Sequence, residues 1–338
     1  MNKEDKYILE TKFYNNPFSF SYSSLNKLLY SPKLFYKDYI LNEREELSDA
    51  HLVEGKMIHS LLLEDASFDE QFILSPGKIP SHGTGERIVI DKLYLKTKNE
   101  DKLSKNLDEL EDELLEVMRD VNLHQKLKTD KQRIEKIVTE SNDTYFNFLK
   151  RKGKKTIIEA EILEKCSNIV SLIKQNELIS DLIGLGKNSE NYTVYNEIQI
   201  EHKQFNLKYP EIGIKGILDN LTVDVQNEII RINDIKTTSK SLIEFKDSIE
   251  YYKYWLQAGF YKKLVAHFLG DDICKHMKLE FRFIAIDKYG SVYPYLVSDA
   301  TMAKWEELTN DAIMKGYFHY KQKSFDLPYE LAMGQIIL

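Results

Sequence analysis

The stretch GIKGILDNLTVDVQNEIIRINDIKTTSKS, Gly213 to Ser241, decides the fold. Gly213–Asp219 and Glu228–Ile235 are short, rich in β-branched residues and bounded by turn residues, so both read as strands. One ends in Gly216-Ile217-Leu218-Asp219 and the other in Asp234-Ile235-Lys236. Side chains at i and i+2 of a strand share a face, so Asp234 and Lys236 point the same way. Antiparallel pairing of the two strands would bring Asp219 beside them. Ile230, Ile232 and Ile235 mark the second strand as a core strand, where a charge needs a partner or an ion. An exposed edge strand can also carry an Asp–Lys pair. The aspartate-terminated strand upstream is what gives this pair chemical weight.

Two carboxylates and an ammonium in one small volume suit magnesium, which takes hard oxygen ligands and keeps several waters. A metal held there lowers the pKa of a bound water and shields the charge developing on a phosphodiester. A lysine beside it can position the attacking water and stabilise the phosphate. Burial near a cation would lower that lysine's pKa and help it share a proton.

Working outward, Asn191–Glu201 alternates polar and apolar residues and reads as a strand, as does Phe205–Tyr209. Helices follow over Ser241–Leu269. Strands are expected at Leu279–Ile286 and Val292–Val297, joined through Tyr289-Gly290, and a last helix at Asp299–Tyr320. Upstream, Ser23 opens a helix, Ser31-Pro32 caps a short one over Lys33–Ile40, and a third spans His51–Leu63. Pro76–Ile90 collects Gly, Pro and Ser and reads as a surface loop. Asp101–Leu149 reads as two or three helices with one apolar stripe at Leu107, Leu110, Leu114, Val117 and Met118, a core-packing pattern. Glu159–Ile183 is a further helical stretch. The order is a helical front, a central sheet with inserted helices, and a helical close: an α/β fold with a mixed central sheet.

Composition narrows the class. At 338 residues the chain can hold one large domain or two modest ones. A net charge of −7 weighs slightly against a nucleic-acid partner, although carboxylates of a metal site contribute to it. Lys150-Arg151-Lys152-Gly153-Lys154-Lys155 is one basic patch, either a phosphate contact or a solvated loop between helices. Cys166 and Cys274 are the two cysteines; they cannot form a disulfide framework or a four-cysteine cluster. With no signal-peptide pattern and no transmembrane run, a reducing cytoplasm and no membrane association are expected.

Three further motifs flank the central stretch. Gly55-Lys56-Met57-Ile58-His59 puts a histidine one helical turn from a glycine that would allow close approach. Gln257 and Tyr261 lie at i and i+4 on one helical face, which contacts DNA, steadies the lysine, or is simply the rim of an amphipathic helix, the last being the commoner case for such a pair alone. Ser21 to Tyr36 (SYSSLNKLLYSPKLFY) and Gly55 to Glu64 (GKMIHSLLLE) complete the set. G-x-x-x-H, a strand acid, G-x-x-D, D-x-K-T and Q-x-x-x-Y, in that order, resemble the RecB-like branch of the PD-(D/E)XK nuclease superfamily. Within it the likeness is to phage recombination exonucleases of the exonuclease VIII (RecE) type.

The resemblance implies a restriction-endonuclease-like core with a mixed central sheet, flanking helices and a helical insertion. The chain would be one nuclease domain over residues 1–338. Residues 1–75 would carry the G-x-x-x-H helices, 76–190 the mainly helical insertion, and 191–338 the catalytic sheet and closing helices. It implies that His59, Asp219, Asp234 and the Ile235 carbonyl bind the metal, and that Lys236 is the catalytic lysine. Glu197 aligns with the strand acid, with Glu201 a rival four residues on. Gln257 and Tyr261 would lie beside the site, and the hydroxyls of Thr237 and Thr238 would touch phosphate. Mg2+ is the implied cofactor, with Mn2+ a substitute. Some relatives hold an iron–sulfur cluster through cysteines; Ser31 stands at one of those places, so no cluster is expected. There is no Walker A motif.

The implied activity is an exonuclease resecting linear double-stranded DNA for a single-strand annealing protein, in recombination or phage DNA metabolism. Relatives form rings, which makes a homo-oligomer an expectation by analogy. A structure-specific or single-strand endonuclease, and a catalytically silent DNA-end-binding module, remain alternatives. Asp219, Asp234 and Lys236 follow from strand spacing and metal chemistry alone; His59 joins them only through the resemblance.

Overall fold

The structure, a computed structural model, describes residues 16–44, 50–64, 67–77, 79–100, 102–204 and 208–334. Two compact units emerge: Met1–Asp65 with Ser167–Leu338, and Ala66–Cys166.

The first unit is built on a mixed six-stranded sheet. Its strands are β1 (Ser19–Phe20), β2 (Tyr192–His202), β3 (Gly213–Asp224), β4 (Ile229–Thr238), β5 (Lys278–Asp287) and β6 (Val292–Leu296). Four helices matter for the site: α1 (Tyr22–Tyr30), α2 (Ala50–Leu63), α3 (Tyr254–Leu269) and α4 (Asp299–Gln322). Strand β2 runs antiparallel along nearly the whole of β3. The opposite edge of β3 is shared. Antiparallel β4 takes Asn220–Asp224, and parallel β1 takes Gly213 and Ile214. β4 then leaves β3 but stays paired with parallel β5 up to Thr238. The sheet therefore splits at Asp219 and Asp234, just past the Asn220–Asn233 pair.

A split strand edge leaves backbone groups that must be satisfied some other way. The Asp219 carboxylate accepts from the Ile235 N–H at 2.7 Å, and the Tyr261 hydroxyl donates to the Ile217 carbonyl. Helix α3 can lie this close because of Gly216, where a Cβ would meet Leu264 Cδ1 at 2.9 Å and Tyr261 Cε1 at 3.0 Å. Behind the sheet, Leu218, Leu221, Ile230 and Ile232 pack with Phe260, Leu264 and Val265 of α3 and with Trp305 and Ile313 of α4. Burial of this apolar surface is the main force holding the split strands in place.

The second unit has its own core, in which Val89, Ile90, Leu93, Leu114, Met118 and Phe146 are buried together. Its longer helices include Gly85–Asn99, Glu111–Asp120, Asp130–Ile137 and Glu140–Lys152, and a two-stranded parallel sheet joins Phe72–Leu74 to Thr156–Ile158.

Several local expectations change. The loop expected over Pro76–Ile90 ends at Thr84, whose side chain accepts from the Arg87 N–H and caps the helix starting at Gly85. The basic run is not one loop: Lys150, Arg151 and Lys152 form the last helical turn, where cations complement the helix dipole. Gly153 then ends the helix at φ 49°. The short helix after Ser31 begins at Pro32 and turns into a π-helix over Tyr36–Ile40. Part of the strand expected at Phe205–Tyr209 lies outside the described residues, and Lys208 and Tyr209 lie in a turn and a bend rather than a strand. Cys166 and Cys274 are not joined in a disulfide. Among the described residues no helix is long and apolar enough to cross a membrane.

Candidate active site

The split between β3 and β4 assembles the site from side chains distant in sequence, all within the first unit. Asp219 is on β3, and Asp234, Ile235 and Lys236 are on β4. Asp234 and Lys236 share a face, and Lys236 Nζ reaches Asp234 Oδ2 at 2.6 Å. Asp234 is fully buried and Asp219 nearly so.

Helix α2 delivers His59. Gly55 lets it approach β4, since a Cβ there would stand 3.1 Å from the Thr237 hydroxyl oxygen. One turn on, His59 Nε2 lies 3.1 Å from the Ile235 carbonyl oxygen and 3.8 Å from Asp219 Oδ2. Its Nδ1 lies 3.3 Å from Glu197 Oε1. Glu197 has a left-handed backbone, φ 47°, unusual inside a strand and costly for a side chain with a Cβ. It is opposite Asp219 in register, the one residue of β2 between Asn196 and His202 that does not pair with β3. Glu201 instead pairs with Lys215, away from this cluster.

Among the described residues, His59, Glu197 and Asp219 form a group whose ligand atoms lie within 4.8 Å of one another, as a metal site requires. With the Ile235 carbonyl, the donors are two carboxylates, a carbonyl oxygen and one imidazole nitrogen. That set suits a hard divalent cation. Asp234 is outside the group of three. Its Oδ1 accepts from Gln257 Nε2 at 2.9 Å and its Oδ2 faces Lys236.

Gln257 and Tyr261 are buried and act on the site from behind. Gln257 Nε2 also lies 2.8 Å from the Tyr261 hydroxyl oxygen, so the pair links Asp234 on β4 to the Ile217 carbonyl on β3. Thr237 is exposed beside Gly55, and the Thr238 hydroxyl accepts from the Lys240 N–H at 3.1 Å.

Electrostatics follow from this packing. Burial disfavours the His59 imidazolium, but Asp219 and Glu197 outweigh it and its pKa is pushed up to about 9. Burial raises Asp219 against the pull of His59 and Lys236, and raises Asp234 against the pull of Lys236. Burial of Lys236 is outweighed by Asp234 and Asp219, so its pKa rises. The fall expected for a lysine beside a cation is not produced by these carboxylates alone.

Two features escape a reading by motif. Tyr22 and Tyr254 reach the site: Lys236 Nζ lies 5.2 Å from the Tyr254 ring centroid, and Tyr22 packs on Tyr254 at 6.3 Å. Tyr254 precedes Gln257 by less than one turn, which is the signal available in sequence. The second is an asparagine ladder through Asn196, Asn220 and Asn233, adjacent in register across β2, β3 and β4. Asn220 Nδ2 donates to Asn196 Oδ1 and Asn233 Nδ2 to Asn220 Oδ1, each at 2.8 Å. Asn196 also donates to the Leu63 carbonyl at the end of α2, at 3.1 Å. Each asparagine is next to an acid of the site: Glu197, Asp219 or Asp234.

A mixed α/β sheet opened at its centre around such a group defines the core of a PD-(D/E)XK-type nuclease. A profile of the PD-(D/E)XK nuclease superfamily matches residues 19–313, and the chain belongs to that superfamily. No curated protein matches it significantly. A solved structure from Eubacterium rectale, described as a "Putative exonuclease", aligns over 100% of this chain and 94% of its own length. With 12% sequence identity and a TM-score of 0.49, that likeness carries no functional argument. Membership of the superfamily supports nuclease activity.

Proposed function

We propose that the chain is a metal-dependent deoxyribonuclease acting as an exonuclease on the ends of linear duplex DNA. The observation that carries the hydrolytic reading is the convergence of His59, Glu197 and Asp219 on one point beside the Ile235 carbonyl, with the Asp234–Lys236 pair adjoining. Under this reading His59, Asp219, Asp234 and the Ile235 carbonyl hold Mg2+ or Mn2+, with Glu197 supplying a further carboxylate. The cation, when bound, supplies Lewis-acid polarisation of the scissile phosphate. Lys236 Nζ, kept protonated by Asp234 and Asp219, donates to the phosphate oxygens and offsets charge as it develops. Gln257 holds the Asp234 carboxylate in orientation while Lys236 is so engaged. Thr237, exposed beside Gly55, donates to a phosphate under the same reading. An annealing partner and a ring-shaped homo-oligomer belong to the same reading by analogy with relatives.

Incubation of linear and covalently closed circular DNA, with and without Mg2+, tests it. Degradation confined to linear DNA with the cation present is expected. Cutting of closed circles would replace the exonuclease with an endonuclease. DNA binding with no hydrolysis in any divalent ion would leave a binding module. Asp219→Ala and Lys236→Ala should each lower hydrolysis at least ~100-fold with an unchanged circular dichroism spectrum. Near-native hydrolysis by either would overturn the site.

A further inference from the structure

Beside Lys236 the chain builds an aromatic ledge that the hydrolytic site does not use. Tyr251 and Tyr252 end the helix before α3 and are 78% and 48% exposed. Lys253 follows in the left-handed region at φ 55°, a conformation that a residue with a Cβ adopts only when its surroundings impose it. The surroundings are evident: the Tyr22 hydroxyl and Asn26 Nδ2 both donate to the Tyr252 carbonyl, at 2.6 and 3.2 Å. The turn is thus pinned to α1, and it holds the Tyr252 ring stacked on Tyr254, with centroids 5.4 Å apart and planes 25° apart. Tyr251 meets Tyr252 edge-on at 4.9 Å. Tyr254 in turn lies under Lys236. Rings therefore run from solvent to the lysine that the proposed reaction requires, in an element tied to α1.

An exposed tyrosine alone calls for no explanation. A fixed, stepped set of aromatic faces leading to a phosphate-handling cation has a ligand whose chemistry matches it: a nucleic-acid strand whose bases are unpaired. Bases stack on aromatic rings irrespective of sequence, while a base inside a duplex has its faces covered by its neighbours.

We propose that Tyr252, flanked by Tyr251 and Tyr254, is a stacking platform for an unpaired base next to the phosphate that enters the site, so that the chain engages a frayed or single-stranded terminus. The proposal rests on the nuclease reading for the identity of its ligand. Its test does not depend on hydrolysis. Fluorescence anisotropy of the full chain in chelator is measured with a labelled single-stranded oligodeoxynucleotide and with the blunt duplex of the same sequence. Tyr252→Ala should weaken single-strand binding about tenfold and duplex binding much less. Tyr252→Phe should bind as the native chain does. Tyr289→Ala, removing a tyrosine that is 77% exposed in the β5–β6 turn, serves as the control and should change nothing.

Native single-strand affinity in Tyr252→Ala would overturn the platform and leave the exposed rings for a protein contact. An equal loss for both DNAs, or a loss in Tyr252→Phe as large as in Tyr252→Ala, would also overturn it. Loss of hydrolysis in the native chain would remove the nuclease reading but not alter these binding outcomes.

Discussion

His59 faces Glu197 through one ring nitrogen and the Ile235 carbonyl through the other, and burial and its carboxylate neighbours pull its proton in opposite directions. The carboxylates win. An imidazole whose pKa rises from 6.5 to about 9 on folding binds its proton more tightly in the native state. The stability it contributes is therefore full below pH 6.5 and is lost as pH rises through about 9. In chelator, the denaturation midpoint of the native chain should fall across that window, and the slope should flatten in His59→Gln. Equal slopes would mean that His59 titrates as it does unfolded. At Glu197 the question is which strand acid serves the site. Glu197 touches His59 whereas Glu201 is paired with Lys215, so Glu197→Ala should lose more hydrolysis than Glu201→Ala. The reverse ranking would assign the role to Glu201. Both glutamates were visible on one strand; the left-handed backbone that turns Glu197 toward His59 was not, because it depends on what faces it across the sheet.

At the scale of elements, the decisive event is β4 leaving β3 while keeping β5. Asp219 and Tyr261 satisfy the backbone groups this exposes, and the asparagine ladder stitches the three strands together at the last paired position. Asn220→Ala would leave Asn196 Oδ1 and the Ile183 carbonyl without their donor. Burying the Ile183 carbonyl unpaired costs roughly 1–3 kcal/mol, whereas the exposed Asn196 turns to water; the cost is read as a lowered denaturant midpoint at constant slope. No shift would show that the ladder is replaceable. The strands of this region were legible because their β-branched alternation and flanking turns are local. The helix starting at Gly85 was hidden by the Gly-Pro-Ser cluster before it, and the capping role of Thr84 emerges only once the chain is folded.

At the scale of the whole molecule, the two units have separate cores, and every residue of the site belongs to the first. Phe146 is completely buried in the second. Phe146→Ala should cost that unit roughly 3–5 kcal/mol, visible by calorimetry, and leave Mn2+ binding intact by isothermal titration. Loss of Mn2+ binding would show that the second unit supports the site. By itself the sequence determined Asp234 and Lys236 on one strand face, with Asp219 on a neighbouring strand that runs on to Asp224 rather than ending there, because strand periodicity is a property of a few consecutive residues. Only the tertiary structure decided that β3 and β4 part at those aspartates. It also decided that Gly55 lets His59 reach the Ile235 carbonyl, and that Tyr252 and Tyr254 line up with Lys236. His59 and Ile235 are 176 positions apart, and even the nearer contacts take a geometry set by packing across the whole unit.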